Sequence, residues 1–157
     1  MYIASAIALI LTMSIGSFLT AQTPKSEWYK CIKPRALTPP NYVFPIVWTV
    51  LYFLLFLAFA RSLTLRYTTI NVLFVLLLIL NIMWSYWYFY KKNIKAAAIN
   101  IVLLIIINIA MIGIAIYKKD NHLAHMLTPH LLWITFAAVL NFMSLPKVKM
   151  CNQIMFG

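Results

Sequence analysis

The chain has 157 residues, of which 64% are hydrophobic and 10% are charged, and its mean hydropathy is +0.90. Soluble domains are about half apolar and about a quarter charged, so this composition excludes an ordinary soluble fold, which would lack polar groups to cover its surface. The formal net charge of +11 comes from cations outside the apolar stretches, which fits anchoring at a membrane rather than nucleic-acid binding.

Five apolar stretches without Lys, Arg, Asp or Glu follow one another along the chain. Each is roughly 20 residues long, the length that crosses the hydrocarbon core as a helix, and none alternates like a barrel strand. The sequence therefore predicts an all-α, five-helix transmembrane bundle forming one membrane domain, residues 1–157. The predicted helices are about 3–21, 43–60, 70–90, 96–117 and 126–145, and a lid loop covers 22–41.

The first stretch lacks the basic start of a signal peptide, and its apolar run is longer than a signal peptide needs. It is therefore interpreted as a membrane helix. The loop that follows contains Pro34, Pro39 and Pro40, which restrict its path because proline fixes φ and keeps the preceding residue out of the helical region. Pro45 falls in the first turn of the second helix, where a missing N–H costs little. We expect the loop to be held over one end of the bundle.

Aromatic and amide side chains recur at helical spacing on three of the predicted helices. Each stripe places a flat π surface beside hydrogen-bonding groups, which is typical of a pocket for a flat, mostly apolar ligand. Simple helix packing stays open as the alternative for these residues, and the neighbouring aromatic residues before the lysine run fit an interfacial belt. The stripes are Phe44, Trp48 and Tyr52; Asn81, Trp84, Ser85 and Tyr88; and His130, Trp133, Ala137 and Asn141.

Basic residues are unequally shared between the two predicted sides of the membrane, with nine on the side of the lid loop and four on the other. The positive-inside rule then predicts an outside N-terminus and a cytoplasmic C-terminus and lid loop. Cys31 and Cys151 fall on this cytoplasmic side, where free thiols are expected.

The sequence offers little material for ordinary catalysis. Glu27 and Asp120 are the only acids, and they are predicted on opposite sides of the membrane. His122 and His125 are placed in the last loop, and no metal-ligand spacing or phosphate-binding loop occurs. No catalytic residue and no metal ligand is therefore predicted, and no cofactor is required.

Three blocks of sequence resemble the translocator protein family, which comprises bacterial tryptophan-rich sensory proteins and the mitochondrial outer-membrane translocator protein. They read "WY…KP…TPPNYVFPIVWTVLY", "NIMWSYWYFY" and "PHLLWITFAAVLN", in the family's order. The resemblance implies a five-helix bundle, often a homodimer, whose cavity opens toward the first loop. It also implies binding of porphyrins such as protoporphyrin IX or haem, of sterols in many members, and of synthetic isoquinoline and benzodiazepine ligands.

The resemblance also assigns site residues by position. It places Trp28 and Tyr29 in the lid loop and Ala137 behind Trp133. Where the helical stripe favours Tyr88, the resemblance favours its neighbour Phe89. The residues that it places around the cavity are Trp48, Asn81, Ser85, Phe89 and Trp133.

Some positions depart from the family pattern. His130 stands where a tyrosine is usual, and it is expected to keep the tyrosine's hydrogen-bonding place, with ligation of haem iron as the alternative. The C-terminal sterol pattern is incomplete, because Phe142 occupies the tyrosine position.

The sequence as a whole predicts a porphyrin-binding membrane protein in tetrapyrrole handling or stress signalling. Its expected partners are porphyrin and membrane lipids, with a sterol and a second copy of the chain as further candidates. A transporter of porphyrin or lipid, and a regulatory protein without its own ligand, are the alternatives. Some relatives convert porphyrin in light, but no enzyme activity is assigned. The expected location is the bacterial inner membrane, or alternatively the mitochondrial outer membrane or another eukaryotic or viral-host membrane.

Overall fold

A computed structural model describes residues 2–20 and 26–156, and within them five helices are long and apolar enough to cross a membrane. The prediction of an all-α membrane bundle is confirmed. The predicted helix end at Ala21 and the loop residues 22–25, including Lys25, lie outside the described residues. The membrane-length helices are α1 (Tyr2–Thr20), α3 (Val43–Thr64), α4 (Thr68–Ser85), α5 (Ile94–Tyr117) and α6 (Asn121–Ser144).

Four shorter elements complete the fold, and all of them lie at one end of the bundle. Helix α2 (Glu27–Ile32) forms within the predicted lid loop, and a π-helical turn (Tyr86–Tyr90) extends α4. A 3₁₀ turn (Leu145–Lys147) joins α6 to α7 (Val148–Phe156), which the sequence did not predict. We call this the lid end, and we call the opposite end, with its three-residue loops 65–67 and 118–120, the short-loop end.

Capping side chains set two helix starts that the sequence placed later. The Asp120 carboxylate accepts a hydrogen bond from the Leu123 N–H at 3.1 Å, so α6 begins at Asn121 instead of 126. The prediction that His122 and His125 lie in a loop is therefore wrong, because both belong to the first turns of α6. Asn93 likewise accepts from the Ala96 N–H at 3.0 Å at the start of α5.

The five long helices pack in a closed ring in the order α1, α3, α6, α5, α4, and α3 also contacts α4. Apolar side chains fill the ring, including Leu55, Phe74, Leu104 and Leu127, each nearly inaccessible. Many other large apolar side chains stay exposed on the outer faces, as a lipid-facing surface requires. The shorter elements cover the lid end of this ring of helices.

A disulfide joins Cys31 of α2 to Cys151 of α7. The expectation of free thiols is therefore wrong. Folding α2 and α7 against each other brings the two Cα atoms to 6.0 Å, within bridging distance, although 120 positions separate the residues in sequence. Disulfides persist in oxidising compartments, which argues against a cytoplasmic lid end, whereas the count of basic residues argues for one. The orientation of the termini stays a prediction.

Candidate functional site

The lid end encloses a small aromatic cavity between α2, α3, α4 with its π turn, and α6. Its volume is about 30 Å³, which leaves room for about two water molecules. Drug-sized ligands occupy pockets of roughly 300–1,000 Å³, so the cavity in this structure is too small for one. Its lining residues are Tyr29, Lys33, Pro34, Thr38, Phe44, Trp84, Tyr88, Phe89, Ala137 and Leu140.

The π turn explains why two neighbouring aromatic residues both face this cavity. The Lys91 N–H donates to the Tyr86 carbonyl five residues earlier, at 2.8 Å, which widens the last turn of the helix. Tyr88 and Phe89 both line the cavity as a result, although successive residues of a regular helix point about 100° apart. The helical stripe and the family resemblance had each favoured one of the two. Single-turn π segments often occur at functional sites.

Hydrogen bonds hold the aromatic wall in place. The Trp84 indole N–H donates to the Asn141 side-chain oxygen at 3.1 Å, and the Asn141 amide donates to the Ile94 carbonyl at 3.0 Å. The Tyr88 hydroxyl lies 3.1 Å from the Ser144 hydroxyl. These bonds connect α4, α5 and α6, so the wall is rigid. Asn141 belonged to a stripe but was not chosen as a site residue, and Ser144 follows it on the same face of α6.

Helix α2 supplies the side of the cavity that faces the lid end. The Tyr29 ring packs edge-on against Phe89, with ring centroids 6.1 Å apart, and burial raises the pKa of the Tyr29 hydroxyl. The Lys33 ammonium lies 5.8 Å from the centroid of the Tyr29 ring. Trp28 points the other way, because its indole N–H donates to the Asn152 side-chain oxygen at 3.0 Å on α7. Of the two predicted lid residues, only Tyr29 lines the cavity.

Two other predicted tryptophans lie outside the cavity lining. Trp133 packs edge-on against Phe44, with centroids 5.8 Å apart, so it stands behind a residue that does line the cavity. Trp48 stacks on Tyr52 at 5.4 Å and meets the His130 ring edge-on at 6.2 Å. The structure therefore brings Trp84, and not Trp48 or Trp133, to the cavity surface.

The predicted polar residues of α4 also lie away from the lining. The buried Asn81 amide donates to the Leu77 carbonyl of its own helix at 3.0 Å. The Ser85 hydroxyl oxygen lies 3.9 Å from where a Cβ on Gly16 would stand, so Ser85 faces α1. Ala137, in contrast, is part of the lining.

His130 is buried within the bundle and pairs with an amide instead of facing the cavity. Its Nδ1 atom lies 2.6 Å from the Asn108 side-chain nitrogen of α5. His130 Nε2 and Asn108 Oδ1 have no hydrogen-bond partner among the described residues. Turning the Asn108 amide over would let its oxygen accept a hydrogen bond from the His130 Nδ1–H. The sequence does not predict this pairing of His130 with Asn108. The arrangement fits a hydrogen-bonding role for this histidine.

The arrangement suits binding of a flat, mostly apolar molecule. Five aromatic side chains and Lys33 line the same space, so a planar ligand would meet π surface on its faces and a cation at its edge. The walls formed by α4 with its π turn and by α6 are bonded to each other, whereas α2 meets them through ring contacts such as Tyr29 with Phe89. Within the described part of the chain, no group of three or more His, Cys, Asp or Glu side chains could hold a metal ion.

Comparison with known proteins gives consistent matches. The profile of the TspO/MBR family matches residues 4–145. A tryptophan-rich protein TspO of Archaeoglobus fulgidus is 34% identical over 145 residues, which cover 89% of this chain and 92% of that protein. A tryptophan-rich protein TspO of Chlorobaculum tepidum is 35% identical over 146 residues, covering 87% and 90%. The tryptophan-rich sensory protein of Cereibacter sphaeroides is 32% identical over 117 residues, covering 74% and 73%.

Proposed function

This chain belongs to the TspO/MBR family of multi-pass integral membrane proteins, and on that premise we propose that it binds a porphyrin, such as protoporphyrin IX or haem, at the lid end. The observation that carries the proposal is the meeting of Tyr29, Trp84, Tyr88 and Phe89 around one space that Lys33 also borders. The binding would serve tetrapyrrole handling or stress signalling.

The ring cluster supplies the affinity in this proposal. Phe89 is its centre, since its ring lies within edge-to-face distance of Tyr29, Trp84 and Tyr88. A planar ligand inserted here would replace ring–ring contacts within the protein by ring–ligand contacts of the same kind. Lys33 at the border would pair with a propionate of the porphyrin. Lys30, in contrast, already forms an ion pair with Glu27 on α2.

The closed volume makes α2 the lid of this site. A cavity of about 30 Å³ cannot hold a porphyrin, so α2 must swing away from the π turn before binding. Tyr29 and Lys33 would then close on the bound ligand from the lid side. Lid opening would therefore limit the rate of binding.

The test is a titration of the purified full chain in nanodiscs with protoporphyrin IX, read by quenching of tryptophan fluorescence. Phe89→Ala keeps all the indoles and removes the central ring, and we expect about a thirtyfold weaker affinity from the lost burial and stacking. Phe53→Ala is the matched control, because Phe53 of α3 is exposed on the outer face of the bundle. Equal affinities for both variants and the wild type would disprove binding at this site, and absence of any binding would favour a regulatory protein without its own ligand.

A further inference from the structure

A second pocket lies on the outside of the lid end, next to the aromatic cavity. It opens between the segment after α2 and the 3₁₀ turn after α6, and its volume is about 420 Å³, within the range of small-molecule sites. The two pockets share only Lys33 and Pro34. Its lining residues are Cys31, Lys33, Pro34, Arg35, Ala36, Met143 and Lys147.

Three cations converge on this pocket without a neutralising acid. The two acidic side chains of the chain are both engaged elsewhere, Glu27 with Lys30 and Asp120 with Arg61. The ammonium of Lys147 reaches across the pocket to the Lys33 carbonyl, at 3.4 Å, which connects the two segments that form its walls. An anion would therefore complete the charge balance of this surface.

The position of the pocket indicates where the anion comes from. Lys147 follows the end of α6 at Ser144 by three residues, so the pocket lies at headgroup depth if α6 crosses the membrane. Met143 on its rim and Val139 one turn earlier are both exposed on the outer face of α6. The acyl chain of a lipid can lie along this strip while the headgroup of the same lipid occupies the pocket. A soluble anion would contact the pocket but not the strip.

We propose that this pocket binds the phosphodiester headgroup of an anionic phospholipid, with Arg35, Lys33 and Lys147 as its ligands. The planar guanidinium of Arg35 suits two phosphate oxygens, and the two ammonium groups act as point charges. The site shares Lys33 with the proposed porphyrin site, whereas its other ligands, Arg35 and Lys147, do not line the aromatic cavity.

The experiment is native mass spectrometry of the full chain in detergent, with equal amounts of phosphatidylglycerol and phosphatidylcholine that carry the same acyl chains. We expect the wild type to retain phosphatidylglycerol on the order of a hundredfold better, because three cations line the pocket. Each juxtamembrane cation contributes about 1 kcal/mol of attraction to anionic lipid, so Arg35→Gln and Lys147→Gln should each lower the preference about fivefold and the double variant about thirtyfold. Lys149→Gln is the matched control, since Lys149 is an exposed cation of α7 that does not line the pocket.

Two outcomes would overturn the inference. A double variant that keeps the wild-type lipid preference places the binding elsewhere on the surface. Displacement of the bound lipid by inorganic phosphate at a concentration of roughly 10 mM would show that the pocket takes a free anion, since a lipid anchored along α6 binds with its acyl chain as well. Protoporphyrin titration of the double variant distinguishes the two sites. Loss of the lipid preference with unchanged porphyrin affinity supports the lipid site, whether or not the porphyrin proposal holds.

Discussion

The two ends of the bundle are closed in different ways. At the short-loop end, the Arg61 guanidinium bonds both oxygens of Asp120 at 2.9 Å, and Ser62 bonds the Asn71 side chain. The first contact joins α3 to the N-cap residue of α6, and the second joins α3 to α4 across the three-residue loop 65–67. At the lid end, in contrast, α2 is tied to the C-terminal segment by Cys31–Cys151, by Trp28 with Asn152, and by Lys147 with the Lys33 carbonyl.

This difference separates stability from ligand access. The short-loop end fixes the order and spacing of the spanning helices, so its contacts should govern the stability of the whole bundle. At the lid end, α2 and α7 are bonded to each other, while α2 meets the aromatic wall through ring contacts such as Tyr29 with Phe89. A unit attached in this way can move without breaking the ring of long helices.

The largest expected effect is on stability at the short-loop end. Asp120→Asn keeps a helix-capping side chain but leaves the half-buried Arg61 without its carboxylate, so we expect a loss of about 2 kcal/mol of unfolding free energy. Denaturant unfolding in detergent measures the loss, and Arg61→Gln should cost less in the Asp120→Asn background than in the wild type. Porphyrin affinity should stay unchanged; a parallel fall in affinity would contradict the separation of the two ends.

The same pair should make stability depend on acid pH. Burial alone would raise the pKa of Asp120, but the hydrogen bonds from Arg61 and from the Leu123 N–H, together with the positive charge nearby, lower it below its ordinary value of 3.8. A carboxylate with a lowered pKa contributes stability above the unfolded value, and that contribution disappears as the pH falls through the folded value. We therefore expect the wild type and Asp120→Asn to differ fully at pH 7 and to converge only below about pH 3.8. Convergence already at pH 5 would exclude this origin of the stability difference.

At the lid end we expect a local effect. Cys31→Ser removes the covalent tie between α2 and α7, so limited trypsin digestion at Lys30 and Arg35 should become about tenfold faster, because local opening becomes easier by roughly 1.4 kcal/mol. The wild type treated with a reductant should behave like the variant, and untreated Cys31→Ser should gain nothing further from reduction. If the variant instead lost unfolding free energy as Asp120→Asn does, the lid end would be part of the stabilising framework.

The smallest effect is expected inside the bundle, at His130. His130→Phe leaves Asn108 without its side-chain partner and should cost about 1 kcal/mol of stability. The Soret band of added hemin should be the same for both proteins, because His130 does not line the aromatic cavity. A shifted Soret band in the variant would show that His130 ligates iron and would move the ligand from the lid end into the bundle.

Much of the fold follows from local features of the sequence. Uncharged stretches of membrane length fix the five helices, because a backbone in lipid must bond within its own segment. The predicted boundaries missed the start of α6, since the capping bond from Asp120 to the Leu123 N–H extends the helix into a polar stretch. Helix α7 lies beyond the last predicted helix, which ends at 145, and its nine residues are too few to span a membrane.

The candidate site was harder to predict from residue spacing than the fold was. Helical spacing correctly groups residues on one face, but it does not say which neighbour that face meets. Asn81 bonds a carbonyl of its own helix and Ser85 faces α1, so neither side chain lines the cavity. Trp28 is turned toward Asn152 of α7. The π turn changes the spacing itself, so no regular period predicts that Tyr88 and Phe89 line one cavity.

The sequence by itself determined that this protein is a bundle of five membrane helices and to which family it belongs, because hydrophobic length and local motifs act over short segments of the chain. Only the tertiary structure decided which aromatic side chains meet, that Cys31 pairs with Cys151, and that three cations share a pocket without an acid. These arrangements join residues far apart in sequence, and their contacts depend on how whole helices pack and turn against one another.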